Sequence, residues 1–110
     1  MSGQTVAQWD VYANPNPGSR VDVPYLVDVQ SDLLRALPTR LVVPLAPPRR
    51  RLSGLPQRMS PVFVVQDMQL LLVPQEAGPV DARVLRQPVA NLRADAHRII
   101  DALDAVVSGV

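Results

Sequence analysis

The sequence predicts a mainly β domain: a small, barrel-like antiparallel sheet covered by one C-terminal α-helix. Three observations carry that reading. Before residue 88, apolar and polar positions alternate in short runs, the period of two that marks a half-buried strand. Twelve prolines are spread along the 110 residues, and proline is kept out of helix interiors and central strands. Near the end of the chain the apolar period lengthens to that of a helix lying on a core. Strands followed by a single amphipathic helix pack most simply as a sheet with the helix laid over it.

Each element has its own signal. Ala7 to Tyr12 alternates through Val11 and reads as the first strand, ended by the turn cluster Asn14 to Ser19. In Tyr25 to Gln30, Tyr25, Val27 and Val29 share one face, and Leu26, Asp28 and Gln30 the other. Leu41 to Leu45 is apolar and β-branched, with Pro44 marking a strand end, an edge or a bulge. Pro47 to Ser60 reads as a solvated loop with room for a short helical turn. Pro61 to Val65 and Met68 to Val73 form a tight hairpin about Gln66-Asp67, although that pair is not a favoured turn sequence. Gln75 to Pro79 reads as a loop and Val84-Leu85 as a short last strand. The helix is expected from about Leu92 to Val107. Its stripe is Leu92, Ala96, Ile99, Ile100, Leu103, Val106, Val107 and Val110, with Asn91 as N-cap and Gly109 as the terminator.

Length gives one domain, residues 1–110, with a small core. The formal net charge of +1 speaks against a sequence-specific nucleic-acid binder. There are no cysteines, which fits a reducing compartment. No apolar run reaches the roughly 20 residues that span a bilayer. The start of the chain lacks a basic stretch followed by an apolar one, so it does not read as a signal peptide. A cytoplasmic protein without a membrane partner is expected.

Catalytic chemistry has little support, and no enzyme is expected. His97 is the sole histidine, and with no cysteine a zinc site lacks ligands. Neither a phosphate-binding glycine loop nor a nucleophile elbow is present, so no catalytic residue, cofactor or metal is assigned. Asp28 reads as the partner of an arginine, and Asp32 as a turn or cap former. The run Arg49-Arg50-Arg51 reads as a solvated loop, or as a docking point for an acidic peptide or phosphates.

The segment Val27-Asp28-Val29-Gln30-Ser31-Asp32-Leu33-Leu34, followed by Arg40 to Ala46, resembles the CcdB toxins of bacterial toxin–antitoxin modules. The resemblance takes in Gln8 to Tyr12, with Trp9 in place of phenylalanine, and continues through the C-terminal helix. Only the Asn14 to Pro24 loop differs in length. The resemblance implies an SH3-like barrel with a C-terminal helix, a homodimer, and no enzymatic activity. It implies a protein that binds the A subunit of DNA gyrase and traps the cleaved DNA complex, in the setting of plasmid maintenance. A CcdA-like antitoxin with a segment that folds on the toxin would neutralise it. The family's gyrase-facing positions fall on Gln8, Trp9, Tyr12, Ser31, Leu33, Leu34, Asp104, Ser108, Gly109 and Val110. Arg49, Arg50 and Arg51 are the candidate contacts for the antitoxin.

The tail departs from the pattern. Toxic members end in Trp-Gly-Ile, whereas this chain ends in Ser108-Gly109-Val110. Loss of an aromatic anchor typically weakens binding by more than about 2 kcal/mol. Asp104, where the family usually has asparagine, adds a charge to the same face. Two alternatives follow. One is a protein that keeps the fold and the antitoxin but poisons gyrase weakly or not at all. The other is an endoribonuclease, because the related MazF and Kid toxins share the fold, but that needs an acid–base pair not evident here.

Overall fold

A computed structural model describes residues 7–109. Its strands are β1 (Asp10–Ala13), β2 (Tyr25–Asp28), β3 (Thr39–Ala46), β4 (Val62–Val65), β5 (Met68–Leu72), β6 (Gly78–Asp81) and β7 (Ala90–Asn91), followed by helix α1 (Ala96–Ser108). Neighbours along the sheet run β4-β5-β3-β2-β1-β7, with β6 also paired to β3, and every pairing is antiparallel. The sheet curls into a nearly closed barrel. Gln66 Nε2, beside β4, donates to the Val89 carbonyl beside β7 at 2.9 Å and so ties the two ends together.

β3 is the spine, and its register explains Pro44. On one side β3 pairs with β2 over Val42–Leu45; on the other it pairs with β6 over Thr39–Val42 and with β5 over Leu45–Ala46. Pro44 lies where β3 changes partner on that second side. Its carbonyl accepts from Val73 N–H at 2.9 Å, so the missing N–H costs one bond at a ladder end and none within a ladder. A proline therefore sits inside a central strand, not at its end.

The hairpin about Gln66-Asp67 forms, and both turn residues are left-handed, with φ of 52° and 64°. That is the twist a two-residue connection requires. Two expectations change. Gly78 and Pro79 belong to β6, where Pro79 faces Leu41 of β3; proline is tolerated there because β6 is an edge strand. Val84-Leu85 is not a strand. Asp81 accepts from Arg83 N–H at 2.9 Å and caps a short 3-10 turn over Ala82–Val84. The last strand is instead β7.

The interior has two parts. The main core joins Trp9, Val11, Val27, Val43, Leu45, Phe63, Leu70 and Leu72 to Ile99 and Ala102 of α1. Tyr12, Leu26, Val42 and Leu85 form a second cluster on the opposite face of the sheet. The alternation in β2 is therefore real, but the face carrying Leu26 and Asp28 is also covered. The helix begins later than expected, after a 3-10 turn over Arg93–Asp95 whose N-cap is Leu92; Asn91, expected as the N-cap, lies one residue earlier and accepts from Arg93 N–H at 2.8 Å. It ends at Gly109, whose φ of 74° suits glycine and whose N–H donates to the Ala105 carbonyl at 2.9 Å. Ile99, Ala102 and Ala105 are buried, whereas Ile100, Val106 and Val107 face outward.

Candidate functional site

The chain between β2 and β3 turns a corner, and nearly every residue of it has an assigned bond. Gln30 is buried and clamps both ends: its Nε2 donates to the carbonyls of Leu34 and Thr39, each at 3.1 Å, and its Oε1 accepts from Leu41 N–H at 3.0 Å. Ser31 caps the 3-10 turn Asp32–Leu34 by accepting from Leu33 N–H at 3.1 Å. Asp32 Oδ1 accepts from Gln8 N–H at 3.2 Å, and Gln8 Nε2 donates to the Val29 carbonyl at 3.2 Å. Gln8 is thereby pinned against the corner. Asp32 acts as a tie to the N-terminal segment, while the capping oxygen belongs to Ser31.

Beneath the corner lies a buried ion pair. Arg40 Nε and Nη2 reach the two oxygens of Asp28 at 2.7 and 3.1 Å, and Arg40 Nη2 also donates to the Gln30 carbonyl at 3.2 Å. Asp28 Oδ1 accepts from Gln30 N–H as well, at 3.0 Å. Both side chains are fully buried. Burial pushes the Asp28 carboxyl upward, against the opposing pull of Arg40 and of the Gln30 N–H. Arg40 Nη1 has no hydrogen-bond partner among the described residues. The arginine expected for Asp28 is thus Arg40; nothing in a single strand's pattern names it, because the match depends on the β2–β3 register.

What this framework displays is apolar. Leu33 is 92% exposed and Leu34 48% exposed, held outward by a turn that Ser31, Gln30 and Asp32 make rigid. Trp9 and Tyr12 do not share that surface. Trp9 is 6% exposed in the main core, with a left-handed φ of 76°, and is bound through its backbone to Asp28 and Leu92. Tyr12 is buried in the second cluster; burial, then Asp10 and Asp28, push its hydroxyl up to about 12. Asp104, Ser108 and Gly109 lie exposed on the last turn of α1, where Ser108 Oγ donates to the Asp104 carbonyl at 2.7 Å. Val110 lies outside the described residues. The helix packs chiefly on the turns Gln57–Met59 and Pro74–Glu76, rather than on the corner.

The three arginines part company. Arg49 pairs with Asp22 at 3.0 Å, Arg50 with Glu76 at 2.6 Å, and only Arg51 turns toward a cleft. His97 is exposed on α1. Among the described residues no cluster of acidic or histidine side chains is suited to a metal, and no helix is long and apolar enough to cross a membrane. None of the curated proteins matches the sequence significantly. The family model described as CcdB protein matches residues 8–109, from the pinned glutamine through the corner to the glycine after the helix. The chain therefore belongs to the CcdB family, the toxins of toxin–antitoxin systems.

Proposed function

We propose that this protein is a cytoplasmic, homodimeric toxin that binds the A subunit of DNA gyrase and is neutralised by a CcdA-like antitoxin. The observation that carries the reading is the corner: a hydrogen-bonded frame of Gln30, Ser31 and Asp32 presents Leu33 and Leu34 to solvent, in a chain that matches its family over residues 8–109. Exposed apolar side chains on a rigid support are the usual anchors of a protein interface. On this reading Trp9 and Tyr12 support the surface from below, while Gln8, Ser31, Leu33 and Leu34 form it. A second copy would bring its own helix end toward the corner. The outward Ile100, Val106 and Val107 support such pairing.

A second reading, antitoxin binding without gyrase poisoning, is favoured by the helix end. Ser108 and Asp104 make a polar, exposed pair where the family carries an aromatic anchor. One assay separates the two: gyrase-mediated DNA cleavage, with the wild-type protein and the double variant Asp104→Asn, Ser108→Trp. Trapped cleavage complexes with wild type establish the first reading. Trapping by the double variant alone, strengthened about thirtyfold or more as an aromatic anchor of about 2 kcal/mol implies, removes poisoning from the wild-type protein, as the second reading requires. If neither folded protein traps a complex, gyrase is not the target.

A further inference from the structure

A cleft of about 460 Å³ opens between α1 and the loop ahead of β4. Arg51, Arg58 and Arg98 line it, together with the buried Ser60, and Asp101 is the carboxylate on its wall. Arg51 and Arg58 make no ion pair among the described residues. Arg98 is set in place before any ligand arrives. Its guanidinium stacks on Phe63, 4.4 Å from the ring centre, and Nη2 donates to the Val62 carbonyl at 2.8 Å. Its Nη1 is 4.0 Å from Asp95, too far for a hydrogen bond. Three guanidinium groups against one carboxylate leave the cleft positive, although the chain as a whole carries only +1.

The same cleft borders an unpaired sheet edge. β4 ends the strand order, with β5 on one side only. The bond from Leu72 N–H to the Pro61 carbonyl fixes which peptide groups face β5. By alternation, Phe63 and Val65 bond to β5, and the peptide groups of Val62 and Val64 face away from it. Val62's carbonyl is already taken by Arg98. Val64's N–H and carbonyl are left to meet an added strand.

We propose that this cleft binds an extended acidic peptide segment, which pairs its backbone with Val64 and its carboxylates with Arg51, Arg58 and Arg98. The inference deepens the antitoxin reading and rests on it: it moves the acidic contact from the Arg49-Arg50-Arg51 run as a whole to a cleft that only Arg51 of the three enters. A nucleic acid fits less well. The aromatic rings of Trp9, Tyr12 and Phe63 are buried, so no ring on this face is free to stack a base. A bare phosphate would use the arginines but not the strand edge.

The test is fluorescence anisotropy on the full chain with a labelled synthetic peptide that alternates glutamate and valine. Saturable binding is expected, weakening about tenfold for Arg51→Ala with Arg58→Ala. Arg49→Ala should leave it unchanged. Val64→Pro keeps the charges and the β4–β5 ladder, since it removes only an outward N–H, and should abolish binding. Circular dichroism checks that each variant stays folded. Equal binding by the double arginine variant, tighter binding of a single-stranded oligonucleotide, or no saturable binding overturns the proposal; binding that survives Val64→Pro overturns the strand-pairing part. Growth arrest on expression and the gyrase assay report separately on the toxin reading. Peptide binding lost while arrest persists would remove the cleft and leave that reading intact.

Discussion

Single residues in this fold do work that neither hydropathy nor charge foretells. Gln30 reads as one polar position in an alternating strand, yet its amide closes the corner with three bonds. Asp28 reads as the partner of an arginine on the polar face of its strand, and that partner is Arg40 of the next strand, with both side chains buried. Removing either partner of such a pair leaves a buried charge, typically a loss of about 3–5 kcal/mol. Tyr12 is the residue whose titration gives a measurable consequence. Its hydroxyl is held up from 10.0 to about 12, first by burial and then by Asp10 and Asp28. An acid bound more tightly in the fold than in the open chain contributes stability that is complete below its ordinary value and lost as pH rises through the folded one. Resistance to denaturant should therefore fall between pH 10 and about 12, and Tyr12→Phe should remove most of that slope. An unchanged slope in the variant would show that another group controls it.

At the level of elements, the strand alternation, the hairpin and the helix terminus were legible, because each rests on local backbone chemistry. Elements set by pairing or packing were less so. Gly78-Pro79 looks like a turn and becomes β6 only because β3 offers an unpaired side. On the helix, hydropathy picks out Ile100 and Val107 for the core, whereas Ala102 and Ala105 occupy it. Small side chains let α1 approach closely, and that preference is invisible to a scale that rewards size. The β4–β5 turn gives a prediction of its own. Asp67 holds a φ of 64° without being glycine, a conformation that costs an L-residue roughly 1–2 kcal/mol. Asp67→Gly should raise stability by about 0.5–1 kcal/mol after the extra freedom of the unfolded chain is discounted. A chemical-denaturation midpoint that falls would contradict it.

For the whole molecule, the corner was legible as a motif, but the packing of the helix on other turns rather than on the corner was not. Side-chain spacing cannot show which surfaces a second copy would bring together. The outward Val107, 89% exposed, makes the proposed homodimer testable. Val107→Glu should leave the monomer folded and shift its mass by light scattering to that of a single chain at concentrations where wild type is paired. A dimer that survives the change would move the interface off the helix. β3 has a consequence in time rather than in space. Because it is bonded to β2 on one flank and to both β6 and β5 on the other, β3 is the strand most enclosed by pairing, and its amides should reach solvent late. The two-residue β7 is held by β1 alone. In deuterated water the amides of Val43 and Leu45 should be the last to exchange and those of Ala90 and Asn91 among the first, so the barrel opens from its β7 end while the strand containing the misplaced-looking proline stays closed.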